Sequence, residues 1–177
     1  MKKIATLLLA VFALVAVESH AQGIHIIPKV GLNLSSLSNV DGKSIAGLNA
    51  GVSLEILLSE KFGIEPGVLF SMQGTKIDTE KVHLDYINIP VYAKYYILGG
   101  LNVFAGPQVG FNVRAKSGGE SIKDLVKTAD FGLGLGVGYQ FNWGLMFSAN
   151  YNFGFVDIEK SSSTKNGVFQ LNVGWRF

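Results

Sequence analysis

The strongest constraint on the fold is an alternation of apolar and polar residues near the C-terminal end of the chain. From Trp143 to Phe155 every second residue is apolar, and the residues between them are mostly small or polar. The same parity returns from Phe169 to Phe177. A period of two over ten or more residues predicts a β-strand with one apolar and one polar face. Aromatic residues near both ends of the apolar face are typical of a wall that stands in lipid.

The N-terminal end of the chain has the composition of a secretory signal peptide. Two lysines precede an apolar run over 4–17, which is short for a lasting membrane helix, and Ser19 and Ala21 form a small-x-small cleavage pattern. We therefore expect a cleaved signal peptide at 1–21 and a single domain at 22–177.

Composition narrows the classes to which the exported domain can belong. The chain has no cysteine, which excludes disulfides, thiolate metal sites and a lipid anchor at cysteine. Loss of the signal peptide takes the formal net charge from +2 to +1, so a nucleic-acid partner is not expected. Mean hydropathy is high at +0.32, yet no second apolar run approaches the ~20 residues of a spanning helix. An apolar exported chain without such a helix predicts a closed β-barrel that needs no metal or cofactor.

Period-two segments predict eight strands, each at least about as long as a tilted membrane strand requires. They cover residues 28–36, 46–58, 61–73, 83–97, 101–115, 129–141, 143–157 and 167–177. Short connections at 59–60, 98–100 and 142 alternate with longer polar ones at 37–45, 74–82, 116–128 and 159–166. Short periplasmic turns and long outer loops are the outer-membrane pattern. The sequence therefore predicts an all-β fold, an eight-stranded antiparallel transmembrane β-barrel with both termini on the periplasmic side.

Aromatic residues on the predicted lipid face sort by height into two girdles. The periplasmic girdle contains Phe62, Tyr95, Tyr139, Phe141, Trp143, Trp175 and Phe177. The outer girdle contains Phe70, Phe111, Phe131, Phe153, Phe155 and Phe169. Such rings prefer the membrane interface. A soluble calycin-like barrel is the alternative, but it would turn its apolar face inward and gain nothing from sorting aromatics by height.

Prolines and glycines modify individual strands. Pro66, Pro90 and Pro107 fall inside predicted strands, where each removes a ladder hydrogen bond, and we expect local bulges there. Glycine occupies alternate positions over 132–138, on the predicted inner face. In a narrow barrel these glycines leave room for bulky side chains opposite.

The predicted lumen collects charges of both signs. Eight strands enclose an interior that side chains fill. Inward positions carry Lys29, Glu55, Glu65, Lys94 and Arg176 near the periplasmic end, with Arg114 and Asp130 higher up. Opposite charges must pair there, because an unpaired buried charge costs several kcal/mol. The pattern favours a structural polar plug, and a gated or proton-conducting path through the same network is the alternative.

Few residues in the sequence suit a catalytic role. His83 and Asp85 share one face near a loop and could orient a base for a nucleophile such as Ser71. Two polar residues at a rim are more often solvated, and no third group completes a triad. His25 falls in the tail before the first predicted strand, without an identifiable partner. Residues 120–127 could form one or two helical turns, but they carry no ligand motif.

Several strand motifs resemble one protein family. The segment DYINIPVYAKY at 85–95 resembles a strand of the PorT-like outer-membrane β-barrel proteins of Bacteroidetes-type bacteria, which carry proline at the same point. Residues 30–35, 130–139 and 151–158 resemble further strands of that family, in order along the mature chain. The resemblance implies a small outer-membrane barrel. Such barrels are often called porin-family proteins, although the name does not rest on a demonstrated pore. The member that names the family assists a secretion system.

The C-terminal end resembles a second known signal. Trp175 and Phe177 resemble the aromatic end that the barrel-assembly machinery reads during biogenesis. The expected partners are thus outer-membrane lipid and that machinery. We expect a monomeric, non-enzymatic barrel with a structural or surface-interaction role in the envelope. The alternatives are an accessory component of a secretion or envelope-assembly complex, a narrow channel, and a lipid-modifying enzyme.

Overall fold

The computed structural model describes residues 23–37, 42–77, 80–156 and 165–177. The predicted signal peptide at 1–21 lies outside these residues. The strands are β1 (Gly23–Leu37), β2 (Gly42–Leu57), β3 (Phe62–Ile77), β4 (Glu80–Leu98), β5 (Leu101–Ser117), β6 (Glu120–Ser121), β7 (Ala129–Gln140), β8 (Leu145–Gly154) and β9 (Asn166–Trp175).

Eight of these strands close into an antiparallel barrel. Each one pairs with its neighbours along the chain, and β1 pairs with β9 to complete the ring. The two-residue β6 adds only a short extension to the edge of β5. None of the described residues forms a helix long and apolar enough to cross a membrane. The predicted eight-stranded antiparallel barrel is therefore confirmed.

The two faces of each strand differ as the alternation predicts. In β1 the apolar side chains of Val30 and Leu32 point outward and are 62% and 55% exposed, whereas Asn33 points inward and is fully buried. In β7 the outward Val137 is 53% exposed while the inward Gln140 is buried. A soluble calycin-like barrel would have an apolar interior and a polar exterior. The arrangement observed here is the reverse, so it contradicts that alternative.

Several strands are longer than predicted. The predicted loop at 74–82 is mostly a continuation of β3 and β4, in which Gly74 pairs with His83 and Lys76 with Lys81. At the other end, β1 begins at Gly23 and so includes His25, which the sequence placed in a tail. Beyond the lipid a strand needs no apolar face, so the alternation fades although backbone pairing continues.

The segment at 120–127 also differs from expectation. Instead of helical turns it contains β6 and one tight turn, closed by the Leu125 amide donating to the Ile122 carbonyl at 3.0 Å. The Ile122 amide in turn donates to the Ala115 carbonyl at 3.1 Å. The segment is therefore anchored to β5 rather than self-supporting.

The prolines do not produce the expected bulges. Strand pairing keeps one register on both sides of Pro66, Pro90 and Pro107. Register shifts occur elsewhere, one of them between Asp85 and Tyr86 in the β4–β5 pair. A proline removes one ladder bond but inserts no residue, so the neighbouring strand can stay in step.

Candidate functional site

Five of the predicted lumen residues meet near the short-turn end of the barrel. Lys29, Glu55, Glu65 and Lys94 project inward from β1, β2, β3 and β4, and Arg176 follows β9. The two glutamates and Lys94 are at most 3% exposed. We call these five residues the ion cluster.

Charges alternate in sign through the ion cluster. The Lys94 Nζ lies 2.6 Å from Glu55 Oε1 and 2.9 Å from Glu65 Oε2. Lys29 pairs with the other oxygen of Glu65, and Arg176 Nε lies 3.0 Å from Glu55 Oε2. Each carboxylate therefore has two cationic partners. This is the condition under which buried charges are tolerated in a protein interior.

Two neutral side chains complete the ion cluster. The Tyr96 hydroxyl donates its single proton to Glu55, so its oxygen is left to accept a hydrogen bond. Gln140 provides the donor when its amide is oriented with Nε2 at 2.9 Å from Tyr96 Oη. The Gln140 oxygen then accepts from Arg176 Nη1 at 2.7 Å and Nε at 3.0 Å. One amide thus joins a hydroxyl to a guanidinium.

Above the ion cluster, amide side chains form a hydrogen-bonded chain along the lumen side of four adjacent strands, β2, β1, β9 and β8. Asn33 Oδ1 accepts from Asn49 Nδ2 at 2.7 Å and from Gln170 Nε2 at 2.9 Å. Gln170 Oε1 accepts from Asn150 Nδ2 at 3.0 Å and Asn152 Nδ2 at 2.9 Å. Because one of these bonds joins β1 to β9, the strand pair that completes the ring, they stabilise the closed barrel around a polar centre.

The alternate glycines of β7 give space to two aromatic rings inside the barrel. A Cβ added to Gly136 would lie 2.7 Å from Phe104 Cζ, and one added to Gly134 would lie 2.7 Å from the Tyr92 hydroxyl. The rings of Tyr92 and Phe104 pack with centroids 5.1 Å apart. The Tyr92 hydroxyl donates to Asn152 Oδ1 at 3.1 Å. Bulky groups therefore fill the middle of the lumen, as the glycine pattern predicts.

Arg114 and Asp130 are not brought together. The register shift between β4 and β5 inserts an extra residue, Val113, so Arg114 faces outward instead of into the lumen as expected. Arg114 is 54% exposed and its Nη1 lies 3.4 Å from Asp85 Oδ2. Asp130 does border an internal cavity. A bulge in one strand reverses the parity of every residue beyond it, and no simple sequence signal marks this one.

Apolar residues close the loop end of the lumen. Leu84, Tyr86, Ala115 and Val126 are at most 5% exposed and form one cluster, against which Ile122 packs. We call these five residues the apolar cap. No periodic pattern predicts the apolar cap, although Ile122 and Val126 are apolar residues in a charged segment.

Between the ion cluster and the apolar cap the lumen contains little free volume. Two cavities bordered by inward side chains of the described strands measure about 20 and 10 Å³. Each has room for roughly one water molecule. Such voids are too small to form a continuous aqueous path.

The residues considered for catalysis lie on different faces. Ser71 is fully buried in the lumen, where its hydroxyl accepts from Asn33 and Gln73 at 2.9 Å. His83 is exposed on the outer face, and Asp85 on the same face is paired with Arg114. The three groups therefore cannot form a triad. Within the described ranges no group of three His, Cys, Asp or Glu residues could hold a metal ion.

The last residues of the chain are fixed to the first strand. The Phe177 amide donates to the Ile26 carbonyl at 3.0 Å, and His25 Nδ1 lies 2.8 Å from the Phe177 carbonyl oxygen. The Trp175 ring contacts Trp143, with centroids 5.5 Å apart, and Phe177 at 6.4 Å. His25 thus has a partner that sequence analysis did not identify, and aromatic rings form a belt beside it.

Comparisons with known proteins agree with this architecture. Residues 19–160 match the family model described as the outer membrane protein beta-barrel domain. The crystal structure of neisserial surface protein A, NspA, is similar with 16% identity and a TM-score of 0.62, covering 90% of this chain and 100% of that chain.

A second solved structure is that of Ail, the attachment invasion locus protein of Yersinia pestis, in complex with the heparin analogue sucrose octasulfate. Its identity to this chain is 18% and its TM-score is 0.52, and the match covers 88% of this chain and 100% of that one. No curated protein sequence matches the chain. At these identities the structural likeness shows the fold.

Proposed function

Because the chain belongs to the outer membrane protein β-barrel domain family, we propose that it is a non-conducting barrel with a structural or surface-interaction role in the cell envelope. It is a small eight-stranded barrel of the outer membrane. The observation that carries the proposal is the filled lumen. A barrel whose interior is packed can act only through its outer wall and its two ends.

Three successive layers fill that lumen. The ion cluster occupies the periplasmic end, the Tyr92 and Phe104 rings fill the middle, and the apolar cap covers the outer end. Passage of a hydrated ion would require separation of buried ion pairs, which costs several kcal/mol for each charge left unpaired. The packed lumen therefore supports a barrel that does not conduct ions.

Conductance in planar bilayers tests the proposal. Purified folded protein should give no steady current steps, while a large porin inserted under the same conditions gives them. Steady steps from this barrel would instead support the narrow channel, and they should then change with the charge state of Glu55 or Lys94. A lack of current could also result from failed insertion. The control is therefore to measure the amount of folded barrel in the same membranes by heat-modified gel mobility.

The surface role is assigned to the outer rim, where charged side chains of both signs are exposed. Lys43, Arg114, Glu120 and Lys123 are all exposed there. Such a mixed-charge rim suits polar envelope or host surfaces rather than apolar ones. Cells that carry Lys43→Glu together with Lys123→Glu should retain the folded barrel and lose surface attachment, if that is the role. Normal attachment with increased detergent sensitivity in a deletion strain would favour the structural role.

We also propose the finer assignment to the PorT-like group, with an accessory role in a secretion or envelope-assembly complex as the second candidate. It is supported by the strand motif at 85–95 and by a pocket of about 180 Å³ at the periplasmic mouth, which Arg176, Gln140 and Phe141 border. Cross-linking in intact membranes tests it: a stoichiometric envelope partner supports the accessory role. Recovery of the monomer alone supports an independent barrel.

Biogenesis and the absence of catalysis complete the proposal. The chain is expected to lose residues 1–21, which N-terminal sequencing of the mature protein would show as a start at Gln22. Recognition by the barrel-assembly machinery is assigned to Trp175 and Phe177, and Phe177→Ser should lower the folded fraction in cells. A non-enzymatic barrel predicts identical lipid A mass spectra with and without His83→Ala.

A further inference from the structure

The upper lumen contains a small polar cavity. It has a volume of about 10 Å³ and lies between β3, β7 and β9, where Gln73, Asp130 and Asn166 are among the residues that line it. That volume accommodates one particle of about the size of a water molecule. The cavity is separate from the ion cluster, whose charged residues do not border it.

Two buried oxygen atoms at this cavity have no hydrogen-bond donor. They are Asp130 Oδ1 and Asn166 Oδ1. Asn166 is only 7% exposed, and its Nδ2 donates to Gln73 Oε1. Gln73 Nε2 in turn donates to Ser71 Oγ at 2.9 Å, which orients the Gln73 amide. The bonding of the two amides therefore leaves the Asn166 oxygen as an acceptor at the cavity.

The charge of Asp130 is not balanced by a neighbouring base. Among the described residues Asp130 makes no ion pair, and the neighbouring groups that favour its charged form are the main-chain amides of Phe131 and Val156. Arg114 is turned outward to Asp85, and Lys94 is held between two glutamates. Asp130 is half-buried with its Oδ1 fully buried, and its carboxylate has no counter-charge, so a cation bound beside it would be stabilising.

We propose that this cavity is a binding site for one Na⁺ ion, held by the oxygens of Asp130 and Asn166. Carboxylate and amide oxygens are the ligands that hard cations prefer. The single carboxylate of Asp130 balances a single positive charge. The described residues contain no cluster of three His, Cys, Asp or Glu side chains that could hold a divalent ion. The small volume favours Na⁺ over the larger K⁺.

Thermal unfolding of the folded full-length barrel in detergent tests the site. At equal ionic strength the unfolding midpoint should be higher in sodium chloride than in choline chloride, and it should rise with the logarithm of the Na⁺ concentration. The isosteric Asp130→Asn variant should lose this difference. Asp124→Asn, in the neighbouring loop, is the matched control and should retain it.

Direct binding gives a second readout. Isothermal titration of the folded barrel with sodium chloride should show saturable binding that Asp130→Asn abolishes and Asn166→Ala weakens at least severalfold. Equal midpoints in sodium and choline, with no saturable heat, would mean that the cavity holds only water and would overturn the proposal. A sodium effect of the same size in Asp130→Asn would also overturn it, because the ion would then bind elsewhere.

Discussion

The hydroxyl oxygen of Tyr92 lies 2.7 Å from the position that a Cβ atom would occupy at Gly134. Tyr92 lies on β4 and Gly134 on β7, which β5 separates, and the missing side chain of Gly134 provides the space for the Tyr92 ring. The same would-be Cβ lies 2.5 Å from Asn152 Oδ1, the atom to which Tyr92 donates. The ring and its hydrogen bond therefore depend on glycine at position 134.

Gly134→Ala should destabilise the barrel by about 1–3 kcal/mol, because the added methyl group overpacks the lumen. The cost should fall in a Tyr92→Leu background, where the ring is absent. Chemical unfolding of the four proteins in detergent gives the coupling free energy. Gly63→Ala is the control, since its Cβ would come no closer than 3.3 Å to another atom. Equal costs of Gly134→Ala in both backgrounds would contradict the packing described.

Lys94→Met should destabilise the barrel by about 3–5 kcal/mol, because it leaves Glu55 and Glu65 short of a counter-charge inside the lumen. The exposed Lys61→Met should change stability by less than about 0.5 kcal/mol. The readout is the temperature at which heat-modified gel mobility changes. Adding Glu55→Gln to Lys94→Met should recover part of the loss, and identical behaviour of the two lysine variants would argue against a buried ion cluster.

Gln140→Glu should leave stability unchanged or raise it. The side-chain oxygen that is retained faces Arg176, so a carboxylate there would add an ion pair to a cluster that holds three bases and two acids. Loss of the bond to the Tyr96 hydroxyl costs only about 1 kcal/mol. Measured in denaturant, a loss of stability well above that value would contradict the contact between this side chain and the Arg176 guanidinium.

Val126→Asp should open the apolar cap without unfolding the barrel. Val126 is 5% exposed, whereas its neighbour Leu125 is 65% exposed, so Leu125→Asp is a matched control in the same loop. Limited proteolysis should cut between residues 117 and 128 rapidly in Val126→Asp and slowly in Leu125→Asp. Cleavage at similar rates in both variants would indicate that the cap does not hold the loop.

Sequence patterns predicted the lipid-facing strands well because a single physical requirement, contact with lipid, determines which residues face outward there. Between the two aromatic girdles every outward side chain must be apolar, so residues such as Val30 and Val137 reveal both the strand and its face. The five residues of the ion cluster follow from the same parity. The register shift between Tyr96 and Leu98 lies closer to the turn than Lys94 does, so it does not change the face on which Lys94 lies.

Prediction failed for the parts of the chain that lie outside the lipid layer, where outward side chains need not be apolar. Above the lipid the strands of the β3–β4 hairpin pair through residues such as Lys76 and His83, which have the composition of a loop. Arg114 was misplaced because one inserted residue in β5 reverses the faces, and a polar rim tolerates either parity. The apolar cap depends on contacts between β4 and a loop some forty residues later, which periodicity cannot show.

The length of the β3–β4 hairpin gives the barrel an uneven outline. From Phe70 in the outer girdle, β3 continues to Ile77, which at ~3.3 Å per residue is about 23 Å along the strand. With the usual tilt of a barrel strand this corresponds to roughly 17 Å of height above the interface. On the opposite side, β8 ends at Gly154, directly after Phe153. Among the described strands, an approaching molecule would therefore first meet the β3–β4 hairpin, at the height of the sugars of the outer leaflet.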